Sequence, residues 1–117
     1  MQKIKIWHNS KCSKSRAALE LLETKKCDTD IVTYLENTPS LEEIKEVIKM
    51  LKTDARGIMR TKENLYSELN LSSDTLSEED LITAMSKNPI LIERPIVIKD
   101  GKAAIGRPIE NIIELLS

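Results

Sequence analysis

The chain has 117 residues, 40% hydrophobic and 32% charged, with a formal net charge of -1 and 3% aromatic residues, none of them Phe. That length suits one domain with a core of Leu, Ile and Val, and the near-neutral charge, with no basic stripe interleaved with aromatics, argues against nucleic-acid binding. No apolar run is long enough to cross a bilayer, no secretory leader pattern opens the chain, and two cysteines make no disulfide framework, so a cytoplasmic protein with reduced thiols is expected.

Residues 1–7 read as a first strand, with Ile4 and Ile6 on one face and Lys3 and Lys5 on the other. The stretch His8-Asn9-Ser10-Lys11-Cys12-Ser13-Lys14-Ser15-Arg16 follows as a loop. It runs into a helix from Ala17, with Ala18, Leu21 and Leu22 on one face, ending around Lys25 or Lys26. Asp30-Ile31-Val32-Thr33-Tyr34-Leu35 is rich in β-branched residues and reads as a second strand, completing a parallel βαβ unit. From Ser40 to about Asn88 the pattern is helical. Ser40 with Glu43 is a capping box before a helix that lines up Leu41, Ile44, Ile48 and Leu51. Ser77 with Asp80 caps another that reaches about Lys87, with Leu76 and Leu81 as its hydrophobic staple. Between them, Thr53 to Leu71 reads as one or two short helices, where Arg56 and Arg60 at i and i+4 share a solvated face. The chain then returns to strand at Ile90-Leu91-Ile92, at Ile96-Val97-Ile98 and, after an Asp100-Gly101 turn, at Ala103-Ala104-Ile105. Pro108 opens a last helix whose apolar stripe is Ile109, Ile112, Ile113 and Leu116.

Cys12 lies where a strand runs into a helix N-terminus, whose N–H groups have no partner within the helix and favour an anion. Lys11, Lys14, Arg16 and His8 surround it, so local charge favours thiolate over thiol and a nucleophile at neutral pH is expected. Cys27 follows Lys25-Lys26 at the other end of that helix, where the dipole disfavours a thiolate, and reads as structural. The dipeptides Arg94-Pro95 and Arg107-Pro108 bracket the hairpin. Proline restricts the preceding residue to extended conformations, and a guanidinium grips a tetrahedral oxyanion with two donors at once. One His and two Cys offer no pairs at metal spacing, and no metal is expected.

In order, His8-Asn9-x-x-Cys12-x-x-Ser15-Arg16, Arg60, Asn88-Pro89-Ile90-Leu91-Ile92-x-Arg94-Pro95-Ile96 and Arg107-Pro108 closely resemble the glutaredoxin-coupled arsenate reductase family, across essentially the whole chain. The resemblance implies an α/β, thioredoxin-like three-layer fold with a mixed sheet, as one domain over residues 1–117 with a helical insertion at about 40–88. It implies that Cys12 attacks arsenate, that His8 helps to lower the Cys12 pKa, and that Arg60, Arg94 and Arg107 bind the oxyanion. Ser15 and Arg16 match loop residues of the family, and Pro95 matches the cis-proline of thioredoxin-like folds. The implied activity is reduction of arsenate to arsenite, an arsenic detoxification, by a monomer with no bound cofactor. Glutathione is the implied co-substrate and glutaredoxin the implied partner. Where the family often has Pro and Gly, this chain has Ser10 and Ser13.

Two other readings share the fold. An Spx-like redox-responsive regulator of RNA polymerase senses oxidation through a Cys-x-x-Cys pair, and here Ser15 stands at the second position. A glutaredoxin-like thiol transferase needs only Cys12. The Cys-x5-Arg phosphate loop of tyrosine phosphatases is absent, since Ala18 stands where its arginine would.

Overall fold

The computed structural model describes residues 3–106 and 109–116. The chain packs as two compact units, Met1–Asn37 with Arg94–Ser117, and Thr38–Glu93.

In the first unit, apolar alternation builds β1 (Lys3–Trp7), and the chain returns through α1 (Ser13–Thr24) to β2 (Asp28–Val32). β2 lies parallel to β1, with Ile6 opposite Ile31 and Trp7 opposite Val32. β3 (Ile96–Lys99) pairs antiparallel with β1, and β4 (Lys102–Ile105) with β3, so the sheet order is β2-β1-β3-β4. Asp100 (φ 48) and Gly101 (φ 76) join β3 to β4, both in the left-handed conformation that the tightest hairpin turn requires. The unit closes with α5 (Glu110–Leu116). Ile4, Ile6, Ala18, Leu22, Val97 and Ile112 form one core, none more than 2% exposed. Each of its large aliphatic side chains contributes about 1.5 to 3 kcal/mol by leaving water. This is the thioredoxin-like α/β arrangement with a mixed sheet that the motifs implied.

The second unit is helical: α2 (Leu41–Met50), α3 (Asn64–Glu68) and α4 (Glu78–Lys87), with 3-10 turns at Ala55–Ile58 and Pro89–Leu91. Both expected capping boxes form. Ser40 Oγ accepts the Glu43 N–H while the Glu43 carboxylate accepts the Ser40 N–H, and Ser77 with Asp80 repeats the exchange. The buried stripe of α2 is Ile44, Val47 and Ile48, and Leu41 stays outside it at 36% exposed. α2 packs on α4, and Lys45 Nζ lies 3.1 Å from Glu79 Oε1 on their exposed sides, a pair of small energetic weight.

Five local expectations are corrected. α1 begins at Ser13 rather than Ala17, which makes Cys12 its N-cap residue. β2 spans Asp28–Val32, two residues earlier than expected at its start, because Lys26 (φ 56) reverses the chain directly after α1. It stops at Val32 because β1 stops at Trp7 and offers no further partner. Ile90-Leu91-Ile92 is not a strand: the Leu91 and Ile92 N–H groups bond back to Asn88 and Pro89, and only Ile92 bridges across, to Met59. Arg56 and Arg60 do not share a helical face, since the turn that holds Arg56 ends at Ile58. Arg56 Nη2 instead donates to the carbonyls of Leu71 (3.0 Å) and Ser73 (2.8 Å). In α5, Ile113 is 43% exposed and Leu115 packs towards the core in its place. Arg107 and Pro108 lie outside the described residues.

Candidate active site

At the end of β1 the His8 N–H bonds to the Val32 carbonyl at 2.8 Å, so the chain leaves the sheet only after His8. Asn9 then shapes the loop. Its side-chain carbonyl accepts the Lys11 N–H at 3.0 Å, and its backbone carbonyl accepts the Cys12 N–H at 3.0 Å. Cys12 is extended (φ -96, ψ 121), as an N-cap must be, and its carbonyl accepts the Arg16 N–H at 3.0 Å, the first bond of α1. Arg16 reaches back across the loop, its Nη1 donating to the Ser10 carbonyl at 2.8 Å.

Beneath the loop, Ser15 is 0% exposed and its hydroxyl has two partners: it accepts the Asn9 N–H at 3.0 Å and lies 2.6 Å from His8 Nδ1. Burial holds His8 below its ordinary pKa, the Arg16 cation lowers it further, and the Ser15 contact opposes both. The imidazole is therefore neutral at pH 7, and it ties Ser15 to the strand end without lending the loop a positive charge.

Cys12 is 9% exposed. Burial alone would raise its pKa, but a hydrogen bond from the Ser15 N–H, one from the Arg94 side chain, one from the Lys14 N–H and the Arg94 charge together bring it down to about 7. The direction matches the sequence expectation, but the source differs. Backbone N–H groups at the start of α1 and one arginine distant in sequence stabilise the thiolate, and the first turn of α1 carries no acidic residue to oppose them. Arg94 is in turn held protonated: burial works against its charge, while the Cys12 thiolate and the Tyr34 hydroxyl favour it. With Cys27 replaced by Ser, alkylation of Cys12 should follow a midpoint near 7, and one pH unit below it only about a tenth of the thiol is reactive. Because this thiol titrates lower folded than unfolded, its thiolate stabilises the fold at alkaline pH, and that contribution disappears as pH falls through about 7.

Arg94 precedes a cis peptide bond to Pro95, and the Pro95 carbonyl accepts the Gly106 N–H at 2.9 Å. A Cβ at position 106 would lie 2.7 Å from Pro95 Cγ and 2.7 Å from Ile112 Cδ1. The isoleucine methyl can rotate away, but the proline ring cannot. Gly106→Ala is therefore expected to cost about 1 to 3 kcal/mol of stability, read from thermal melting, and to raise the Cys12 alkylation midpoint as Arg94 is pushed aside.

The structure thus brings together Cys12, His8, Ser15, Arg16 and Arg94 in one unit. Arg60 belongs to the helical unit, where its Nη1 pairs with Glu63 Oε2 at 2.8 Å and its N–H bonds to the Leu91 carbonyl. Sequence reasoning missed Tyr34, whose side chain is fully buried and favours the charged form of Arg94. Its membership in a β-branched run disguised it as an ordinary strand residue. Among the described residues no group of three or more His, Cys, Asp or Glu could hold a metal, and no helix is long and apolar enough to cross a membrane.

A thiolate, a guanidinium and the N-terminus of a 12-residue helix facing one point can bind an oxyanion and attack its central atom. Comparison with known proteins agrees with this chemistry. The chain is 49% identical over 117 residues to a protein named arsenate reductase from Neisseria meningitidis, covering 99% of this chain and 100% of that one. It is also 47% identical to YfgD of Escherichia coli, an uncharacterised protein, over 98% of each. The solved structure of arsenate reductase from Vibrio cholerae superposes with a TM-score of 0.94 at 46% identity, covering 97% of both chains. The model of the ArsC family matches residues 7–115, and this chain belongs to the ArsC family.

Proposed function

We propose that the chain is an arsenate reductase in which Cys12 is the nucleophile. The observation that carries the reading is the Cys12 thiol itself, brought to about 7 by the amides of Ser15 and Lys14 and by Arg94, at a helix N-terminus suited to a tetrahedral oxyanion. The thiolate forms an S–As bond to arsenate and an oxygen leaves as water, giving a thiol-arsenate adduct on Cys12. Reduction of As(V) to As(III) then takes two electrons, which two external thiols supply as they join in a disulfide, releasing arsenite and restoring Cys12. Glutathione and glutaredoxin are the donors that fit, since no second cysteine lies in the loop.

In this reading Arg94 binds the anion beside Cys12 and Arg16 holds the loop through Ser10, while Arg60 and Arg107 are oxyanion-binding residues on the strength of the family resemblance alone. His8 acts through Ser15, fixing the loop that carries the two amides. The chain works as a single domain, with the helical unit Thr38–Glu93 as its insertion, as a monomer in a reducing cytoplasm. The test is an arsenate-dependent thiol oxidation assay with glutathione and glutaredoxin. Turnover that requires all three components supports the reading. Disulfide exchange without arsenate reduction, by a folded protein, would assign the site to a thiol transferase instead.

A further inference from the structure

Ser15 lies in the first turn of α1, yet its side chain serves the loop before that helix. It is 0% exposed, and its hydroxyl meets two partners, the Asn9 N–H at 3.0 Å and His8 Nδ1 at 2.6 Å. Both belong to the segment by which the chain leaves β1, where the His8 N–H is still bonded to the Val32 carbonyl. Asn9 is bonded on its other side as well, because its carbonyl accepts the Cys12 N–H at 3.0 Å. A closed circuit results. Ser15 holds Asn9, Asn9 holds the Cys12 backbone, and the Cys12 carbonyl accepts the Arg16 N–H at 3.0 Å, the first bond of the helix that carries Ser15. An N-cap side chain faces the free amides of the first turn only while its own backbone stays extended, as that of Cys12 does (φ -96, ψ 121). The circuit supplies that constraint through a single oxygen, whichever way the proton lies between Ser15 and His8. That oxygen faces the loop from beneath, closed to an anion arriving from solvent.

We propose that Ser15 is a positioning residue, whose hydroxyl clamps Asn9 and His8 to the first turn of α1 and so keeps the Cys12 sulfur over the amides of that turn. This rests on the proposed function, in which that sulfur is the nucleophile. Loss of His8 leaves the Asn9 bond in place, whereas loss of the Ser15 hydroxyl opens both, so Ser15 is the hub of the clamp and His8 one of its arms.

The experiment is Ser15→Ala in a Cys27→Ser parent, with Cys12 alkylation by iodoacetamide followed against pH. No charged group is removed, so a shift reads the geometry of the loop. The midpoint, about 7 in the parent, should rise by about half a pH unit or more as the amides lose the sulfur. Ser13→Ala, in the same turn but exposed, should leave it in place. Adding His8→Ala to Ser15→Ala should change little, because both act through one clamp. An unchanged midpoint in folded Ser15→Ala protein overturns the proposal, as does an equal rise in Ser13→Ala or a further rise of the same size when His8 is also replaced. A higher KM for arsenate with the midpoint unmoved would make Ser15 a ligand of the anion instead. In the parent, the Asn9 amide should be protected from exchange with solvent deuterium, as a bonded amide is. An Asn9 amide that exchanges as an open one overturns the proposal whatever the variants do. Alkylation and exchange need no arsenate, so a clamp upheld in a protein without arsenate turnover removes only the activity.

Discussion

Cys12→Ser is expected to lower arsenate turnover by on the order of a thousandfold or more, as removal of an attacking group does elsewhere. Serine keeps the shape of the N-cap but has no accessible anion near neutral pH, so the Ser15 and Lys14 amides and Arg94 would face a neutral hydroxyl. Cys27→Ser should retain most of the turnover. Cys27 is half-buried and packs against the core of the first unit, with no part in the loop of Cys12. Both variants are to be measured in the arsenate-dependent thiol oxidation assay with melting temperature alongside. If Cys27→Ser were as damaging as Cys12→Ser in a folded protein, Cys27 would be a resolving thiol and the external-donor scheme would be wrong.

The second large effect is expected at Arg94. Its hydrogen bonds to the thiolate and to a bound oxyanion are charge-assisted, worth about 1.5 to 3 kcal/mol each. Lysine keeps the charge but loses the planar fork, and it cannot donate to Cys12 and an anion in two fixed directions at once. Arg94→Lys should therefore reduce kcat/KM for arsenate by roughly tenfold or more, since about 1.4 kcal/mol is a factor of ten. Arg56→Lys is the control. The Arg56 guanidinium is engaged by the Leu71 and Ser73 carbonyls, so its replacement should lower the melting temperature while kcat/KM changes little. Phosphate, a tetrahedral oxyanion of similar size, should slow alkylation of Cys12 in the parent and much less in Arg94→Lys. Equal damage from Arg56→Lys, or no protection by phosphate, would remove the arginine-bound anion from the mechanism.

Much of the local structure was legible because short-range rules decide it. Ser40 and Ser77 find Glu43 and Asp80 three residues on, and the caps form wherever the helices sit. Asp100-Gly101 closes its hairpin for the same reason, since only a residue pair tolerant of positive φ makes that turn. The errors fall where a partner outside the segment decides. Ile90-Leu91-Ile92 has the composition of a strand, but the Leu91 and Ile92 N–H groups are satisfied by carbonyls three residues back. Arg56 and Arg60 have helical spacing, yet a 3-10 turn of four residues does not continue far enough to align them.

The candidate site divides in the same way. The sequence by itself determined that Cys12 lies between a strand and a helix, and hence that helix amides face its sulfur, because these depend on neighbours along the chain. It could not determine that His8 is buried and held below its ordinary pKa, a shift that burial and the Arg16 cation produce against the Ser15 contact. Nor could it determine that Arg94 reaches Cys12. That approach exists because β3 pairs antiparallel with β1, Trp7 opposite Ile96, which brings the residues just before β3 to the end of the sheet where the loop of Cys12 begins. Strand order is a property of the packed sheet, set by which apolar faces can be buried together, and no spacing within a single segment encodes it.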